Sequence, residues 1–253
     1  MTRQNFIPAN SPHYPMVLAL IPYWDMGNHD NAELTTDYNI DCDQSEYYSC
    51  QDYKKGEQVC MSYGRRPNSE LFLHNGFVHV NNIADGTKLR LGVSKSDPLV
   101  SQKKELLNKL SIPSSAEFLL PANPRPFAPH DKFIAFLRIF NMEQETIEKY
   151  LNGESTDDLL CPNIPHPVDS KVWQFLTTRI NLLLSTYPTT LEEDEKLLEE
   201  NKSLSSCMRL TVLMRLTEKR ILHNTLEDLK KAQESYQSTE NKTSQEETKS
   251  KGK

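Results

Sequence analysis

The apolar positions change rhythm near residue 85. Up to that point they come in short runs separated by turn residues. Residues 16–21 form a continuous apolar stretch, the pattern of a buried strand. Residues 35–40 and 47–51 predict two short strands on either side of the acidic turn Asp41-Cys42-Asp43-Gln44, and 58–62 predicts another after Lys54-Lys55-Gly56-Glu57. Residues 68–74 carry helical spacing and run into Gly76, a residue type suited to the left-handed turn that closes a helix.

Beyond residue 85 the spacing is mostly helical. Asp97-Pro98 reads as a helix start, a capping side chain followed by proline at the first helical position, and predicts a helix to about Leu110. Residues 130–140 present Phe133, Ile134, Phe136, Leu137 and Phe140 as one stripe. Residues 143–151 follow and stop at Gly153. Asp169 or Ser170 caps a helix carrying Trp173, Leu176, Ile180, Leu183 and Leu184 on one face, which ends before Pro188. Residues 191–199 form an acidic helix. Ser205 or Ser206 opens a longer helix to about Tyr236, with Leu210, Leu213, Met214, Ile221 and Leu222 inward. Ser, Thr, Glu and Lys dominate 237–253, where no apolar residue can offset chain entropy, and this segment is expected to be a disordered tail. The boundaries expected are therefore 1–84, 85–236 and 237–253.

Composition narrows the function. The net charge of −6 argues against general nucleic-acid binding, which needs a basic face. No run of about 18 apolar residues predicts a membrane span, and the start lacks the apolar stretch of a signal peptide. The five cysteines are scattered without a Cys-x-x-Cys pair, so they are expected as free thiols in a reducing compartment, cytosol or nucleus, rather than as a metal site. None of the eight glycines forms Gly-x-Gly, so a dinucleotide or P-loop site is not supported. His74, His79, His130, His166 and His223 show no metal-ligand spacing and are expected to be structural or at the surface. The Phe133–Phe140 and Trp173–Leu184 stripes read as core.

Two segments carry chemistry. Tyr23-Trp24-Asp25-Met26-Gly27-Asn28-His29 follows the first apolar run, and Cys60-Met61-Ser62-Tyr63-Gly64-Arg65-Arg66-Pro67-Asn68 follows the Lys-Gly turn. Around them, in order, stand Met1-Thr2-Arg3-Gln4-Asn5, Leu18-Ala19-Leu20-Ile21-Pro22, Thr35-Thr36, Tyr38-Asn39, Gly56-Glu57-Gln58 and Leu91-Gly92-Val93-Ser94-Lys95-Ser96-Asp97. This ordered set resembles the actin histidine methyltransferases, in the Rubisco-methyltransferase-like class of SET-domain proteins. Trp173-Gln174-Phe175-Leu176 and Arg215 to Leu222 resemble that class's helical substrate-binding domain. The likeness covers roughly residues 1–235.

The resemblance implies an α+β chain: the C-terminal part of a β-rich SET domain, then an all-helical substrate-binding domain, then the tail. It implies that the first SET strands and part of the cofactor cradle belong to a longer N-terminal portion preceding the residue matching Met1. It implies a monomeric, cytoplasmic and also nuclear enzyme that transfers a methyl group from S-adenosylmethionine to a histidine of actin. A lysine target, or a non-catalytic partner-binding module, are the alternatives. By the same resemblance Tyr63 would be catalytic, its hydroxyl near the transferring methyl. Asn28 and His29, with Tyr63, Asn75 and Phe77, would contact the cofactor. Asn5 would hydrogen-bond the target imidazole and fix its tautomer, against the plain reading of a loop asparagine. Trp24 would wall the acceptor pocket, Tyr38 would line the peptide groove, and Arg66 would hold the imidazole or nearby peptide groups through its planar donor fork. Met61 and Ser62 stand where that family usually has a bulkier apolar pair; Met61 is still able to wall the pocket because methionine is apolar and adaptable. No metal ligand is expected.

Overall fold

The computed structural model describes the backbone of residues 5–9, 15–32, 35–49 and 51–250, and the side chains of these to residue 234 apart from Asp25. Met1 to Gln4 and Cys50 lie outside the described residues. The chain divides into two compact units. One comprises the residues up to Asp85 together with Leu204–Met214; the other comprises Gly86–Ser203 and the residues from Arg215.

The first unit is built from pairs of very short strands. β1 (Asn5–Pro8) and β2 (Met16–Ala19) pair antiparallel, with Phe6 opposite Leu18. A single 3-10 turn, Trp24–Met26, leads into β3 (Asn28–His29). β4 (Thr36–Asn39) and β5 (Gln44–Tyr47) form an antiparallel hairpin, whose turn places Asp43 at a φ of 52°. β6 (Cys60–Met61) returns to pair in parallel with β3, Asn28 opposite Cys60 and His29 opposite Met61. α1 (Asn68–Asn75) follows and is closed by Gly76 at φ 78°, whose N–H reaches the carbonyls of Leu71 and Phe72. That is the expected helix and the expected terminator.

The apolar run at residues 16–21 corrects the sequence reading. It forms a strand, but not a buried one: Met16, Val17 and Leu18 are 50%, 40% and 58% exposed. Successive strand residues point to opposite faces, and among the described residues β2 pairs with β1 alone. A two-stranded ribbon has no layer on either side to bury both faces.

The second unit holds a continuous core. β7 (Gly86–Gly92) and β8 (Ser115–Pro121) pair antiparallel along seven residues, Leu89 opposite Phe118. This ribbon corrects the expectation of an all-helical unit. Its alternation is plain in Thr87-Lys88-Leu89-Arg90-Leu91, where Leu89 and Leu91 are buried and Lys88 and Arg90 are exposed. The helices are α2 (Val100–Lys109), α3 (Asp131–Asn141), α4 (Gln144–Leu151), α5 (Asp157–Leu160), α6 (Asp169–Leu184), α7 (Leu191–Glu200) and α8 (Ser206–Ser250). α2 begins three residues later than the Asp97-Pro98 signal. Asp97 instead accepts from the N–H of Leu99 and forms an ion pair with Lys103. α5 was not legible from spacing, being only four residues long.

Phe133, Ile134, Phe136, Leu137 and Ile139 of α3 are buried together with Leu106, Leu107, Phe118, Ile147, Val172, Leu176 and Ile180. Phe118 stacks on Phe133 at 4.6 Å between centroids. One charged side chain sits inside this core. Arg138 is fully buried; its Nε and Nη2 donate to Asp169 at 2.8 Å each, and its remaining donors go to the carbonyls of Asp158, Cys161 and Ile164. Such a charge is tolerable only because every donor is matched. It ties α3 to the first residue of α6 and to the loop between α5 and α6. α7 opens with a reciprocal capping box, Thr190 with Glu193. The backbone of α8 runs as helix to Ser250, beyond Tyr236 where spacing ends it. The disordered tail over 237–253 rests on composition. No helix of the described residues is long and apolar enough to cross a membrane.

Candidate functional site

The parallel pairing of β3 with β6 joins the two chemistry-bearing segments. His29 of β3 and Gly27 just before it hold Tyr63 at both ends. The Tyr63 N–H donates to His29 Nδ1 at 3.1 Å, and the Tyr63 hydroxyl donates to the carbonyl of Gly27 at 2.7 Å. Because His29 Nδ1 accepts a hydrogen bond, the neutral ring carries its proton on Nε2. The rings then cluster. His29 lies 5.2 Å from Tyr63, 5.9 Å from Phe77 and 5.5 Å from His79, centroid to centroid, and Tyr63 meets Phe77 edge-on at 6.2 Å. Burial holds His29 below the ordinary imidazole range; the neighbouring His79 adds to this and Asp30 opposes it.

Phe77 and His79 reach this cluster because the segment after α1 is pinned by buried polar groups. Asn68 is fully buried. Its side chain donates to Asp85 Oδ2 at 2.7 Å and to the carbonyl of His79 at 3.0 Å, and accepts from the His79 N–H at 2.9 Å. Asp85 also accepts from the Asn68 N–H at 2.8 Å. Asn82 donates to the carbonyl of Arg66 at 2.8 Å. Thr35, itself buried, accepts from the Ser62 N–H at 2.8 Å. Sequence reasoning assigned no role to Thr35, Asp85 or Asn82, and it placed His79 among ordinary histidines. His79 is instead half-buried against His29, its Nε2 3.6 Å from Asp30 Oδ1.

The other candidates are placed as follows. Asn28 is exposed at the β3 edge and Arg66 is exposed, its charge close enough to act on His29. Asn75 ends α1, and its Oδ1 is buried with no hydrogen-bond partner among the described residues. Asn5 lies on β1, and its Nδ2 is likewise buried and unmatched among them. Met61 is buried, its thioether lying over Gly27. Trp24 packs edge-on against Tyr47 at 6.2 Å between centroids. Tyr38 sits on the β4–β5 hairpin, with its hydroxyl donating to the Asp43 carboxylate. That hydrogen bond raises the Tyr38 phenol above its ordinary value. The geometry thus gathers His29, Tyr63, Phe77 and the Met61 backbone, with Asn28 beside them. Among the described residues no group of three or more His, Cys, Asp or Glu is arranged to hold a metal.

The arrangement suits a flat, partly cationic organic molecule. Three aromatic faces offer stacking and cation–π attraction. Asn75, two residues before Phe77, carries a buried Oδ1 with no partner among the described residues, and such a group costs stability unless something meets it. S-adenosylmethionine, with a planar base and a sulfonium, fits these features.

Comparison with known proteins bears on the class. Solved structures of Rubisco LSMT share the fold. One, the SET domain of LSMT bound to lysine and AdoHcy, superposes with a TM-score of 0.68 at 23% identity, covering 85% of this chain and 51% of that one. Another, Rubisco LSMT bound to AdoMet, gives 0.69 at 23% identity over 85% of this chain and 50% of that one. The fold is thus that of a SET methyltransferase of the Rubisco LSMT kind. Residues 94–222 match the family described as Rubisco LSMT substrate-binding, and the chain belongs to that family. It is also 41% identical over 242 residues to the actin-histidine N-methyltransferase of Homo sapiens, covering 93% of this chain and 40% of that protein. The Gallus gallus protein of the same name is 40% identical over the same shares. The chain therefore spans about 40% of the length of the curated relatives it matches.

Proposed function

We propose that this chain takes part in S-adenosylmethionine-dependent methylation of a protein histidine, with actin as the substrate protein. The observation that carries the reading is the double capture of Tyr63 by residues 27–29, inside a sequence 41% identical to actin-histidine N-methyltransferases. Bound S-adenosylmethionine would supply a methyl group on a sulfonium, open to in-line displacement by a ring nitrogen. His29, Phe77 and Asn75 would hold the cofactor, with Asn28 at the edge. Tyr63 would present oxygen lone pairs toward polarised C–H groups. Asn5 has an amide end available for the target imidazole, and Arg66 is free to reach peptide acceptors. A histidine acceptor needs only the right tautomer at neutral pH, whereas a lysine, near 10.4, must first lose a proton. Catalysis of this kind is mostly positioning, which suits a site made of rings and carbonyls without a strong base. We further propose a monomer acting in the cytoplasm and nucleus, with actin-binding provided by the family's substrate-binding portion.

The test is direct. The chain is incubated with labelled S-adenosylmethionine and actin, and the label is located by mass spectrometry. Label on histidine, falling about tenfold or more in Tyr63→Phe, is the expected outcome, since one lost interaction of about 1.4 kcal/mol is tenfold in rate. Label on lysine would support the lysine reading instead. Absence of label with intact actin association would favour a partner-binding module.

A further inference from the structure

We infer that Gly27 and Met61 are a positioning pair that seats the Tyr63 hydroxyl. This rests on the assignment of Tyr63 made above, and it gives Gly27 and Met61 a role through Tyr63 rather than at the reacting atoms.

Gly27 has φ −69° and ψ 126°, a backbone conformation any residue adopts. Glycine is therefore not needed there for its conformational freedom. What it supplies is space. A Cβ on Gly27 would lie 2.7 Å from Met61 Sδ and 3.2 Å from Met61 Cγ. The first distance is far inside carbon–sulfur contact, so the two residues occupy one shared volume: either a methyl on residue 27 or the thioether of residue 61. Met61 is only 5% exposed, so its sulfur has little open room into which it could swing.

The same glycine receives Tyr63. Met61 ends β6, Tyr63 follows two residues later, and both side chains reach Gly27. The thioether of the first covers Gly27, and the hydroxyl of the second donates to its carbonyl at 2.7 Å. The Tyr63 N–H is held separately by His29 Nδ1. The distance between residue 27 and β6 positions the hydroxyl, and the Gly27–Met61 contact, next to the β3–β6 pairing, limits how that distance can change. With its proton given to Gly27, the Tyr63 oxygen has no second hydrogen to donate. It can accept from a reactant but not donate to one. A side chain added at residue 27 pushes β6 outward and lengthens the hydroxyl contact, unless residue 61 is shortened in compensation.

The test reads the hydroxyl itself. The full chain is labelled with carbon-13 at tyrosine Cζ, and the Tyr63 resonance is identified by its loss in Tyr63→Phe. Gly27→Ala is expected to shift that resonance, and Gly27→Ala combined with Met61→Val to return it toward the wild-type position. An unmoved resonance in Gly27→Ala overturns the inference. A resonance that moves and is not restored in the double variant overturns the pairing. If Gly27→Ala fails to fold, Met61→Val alone decides: the resonance is expected to shift as the contact loosens, and no shift overturns the inference. These spectra need neither cofactor nor actin, so they stand or fall separately from methyl transfer. Where transfer is measured, Gly27→Ala is expected to lower kcat severalfold with KM for the protein substrate unchanged, and adding Met61→Val to recover it, a rescue that a smaller folded fraction does not produce.

Discussion

Leu18 and Leu137 are both leucines in regular secondary structure, yet the first is 58% exposed and the second is fully buried. Leu18 lies on a ribbon of two four-residue strands. Leu137 lies on an eleven-residue helix whose apolar stripe meets α2, α5 and α6. The contrast runs through the molecule. The unit that carries the candidate chemistry is made of strand pairs of two or four residues, held by buried polar links such as Asn68 with Asp85. The unit that matches the family's substrate-binding portion is held by a continuous hydrophobic core closed around Arg138. Local hydrogen bonds fix the precise position of a few groups in the first. Shared apolar burial makes the second cooperative.

That contrast can be broken or sharpened by measurement. Arg138→Ala is expected to be the most damaging change in the second unit, at about 3–5 kcal/mol, because it leaves Asp169 as an uncompensated buried charge. Urea unfolding followed by tryptophan fluorescence at Trp173 reads it. Leu137→Ala should cost about 2–5 kcal/mol through lost burial and the cavity it leaves. Thr190→Ala, which removes the capping box of α7, should cost about 1 kcal/mol. Leu18→Ala is expected to stay within about 0.5 kcal/mol, since the side chain is mostly in water already. If Leu18→Ala destabilises as much as Leu137→Ala in the isolated chain, the contrast between the units is wrong.

A smaller, pH-dependent effect sharpens the same point. His166 is buried, and its Nδ1 accepts from the Val168 N–H at 3.2 Å while Nε2 meets the Tyr150 hydroxyl at 3.0 Å. Tyr150 in turn donates to Asp158 at 2.6 Å. Burial, and then Arg138, hold His166 below its ordinary value, against the opposing pull of Asp158 and Asp169. The neutral ring is thus favoured in the folded state, and the unfolded chain binds the proton more readily. The stability this group contributes is fully present above the unfolded value near 6.5 and is lost as pH falls through the lowered folded value. Thermal melting between pH 7.5 and 5.5 should fall in wild type and fall less steeply in His166→Asn.

Much of this was legible in the chain. The α3 stripe, the α6 face, the acidic helix α7 and the Gly76 terminator follow from spacing and residue type. The two segments bearing Asn28, His29 and Tyr63 were singled out through the family resemblance. Other features were not legible. The β7–β8 ribbon alternates clearly but lies between helical patterns. His79 gave no motif and joined the site only through Asn68. Nothing in the spelling of residues 16–21 distinguishes a buried strand from a bare one.

The sequence by itself determined which residue types recur, at what period, and in which order the chemical groups follow one another. These are local properties, written in side-chain size, polarity and backbone preference. Only the tertiary structure decided what each group meets: that Tyr63 gives its proton to Gly27, that Met61 takes the space a Cβ would fill, and that Leu18 meets water while Leu137 meets protein. Those outcomes depend on partners distant in the chain. The contact between residues 27 and 63, for example, exists only because β6 returns beside β3.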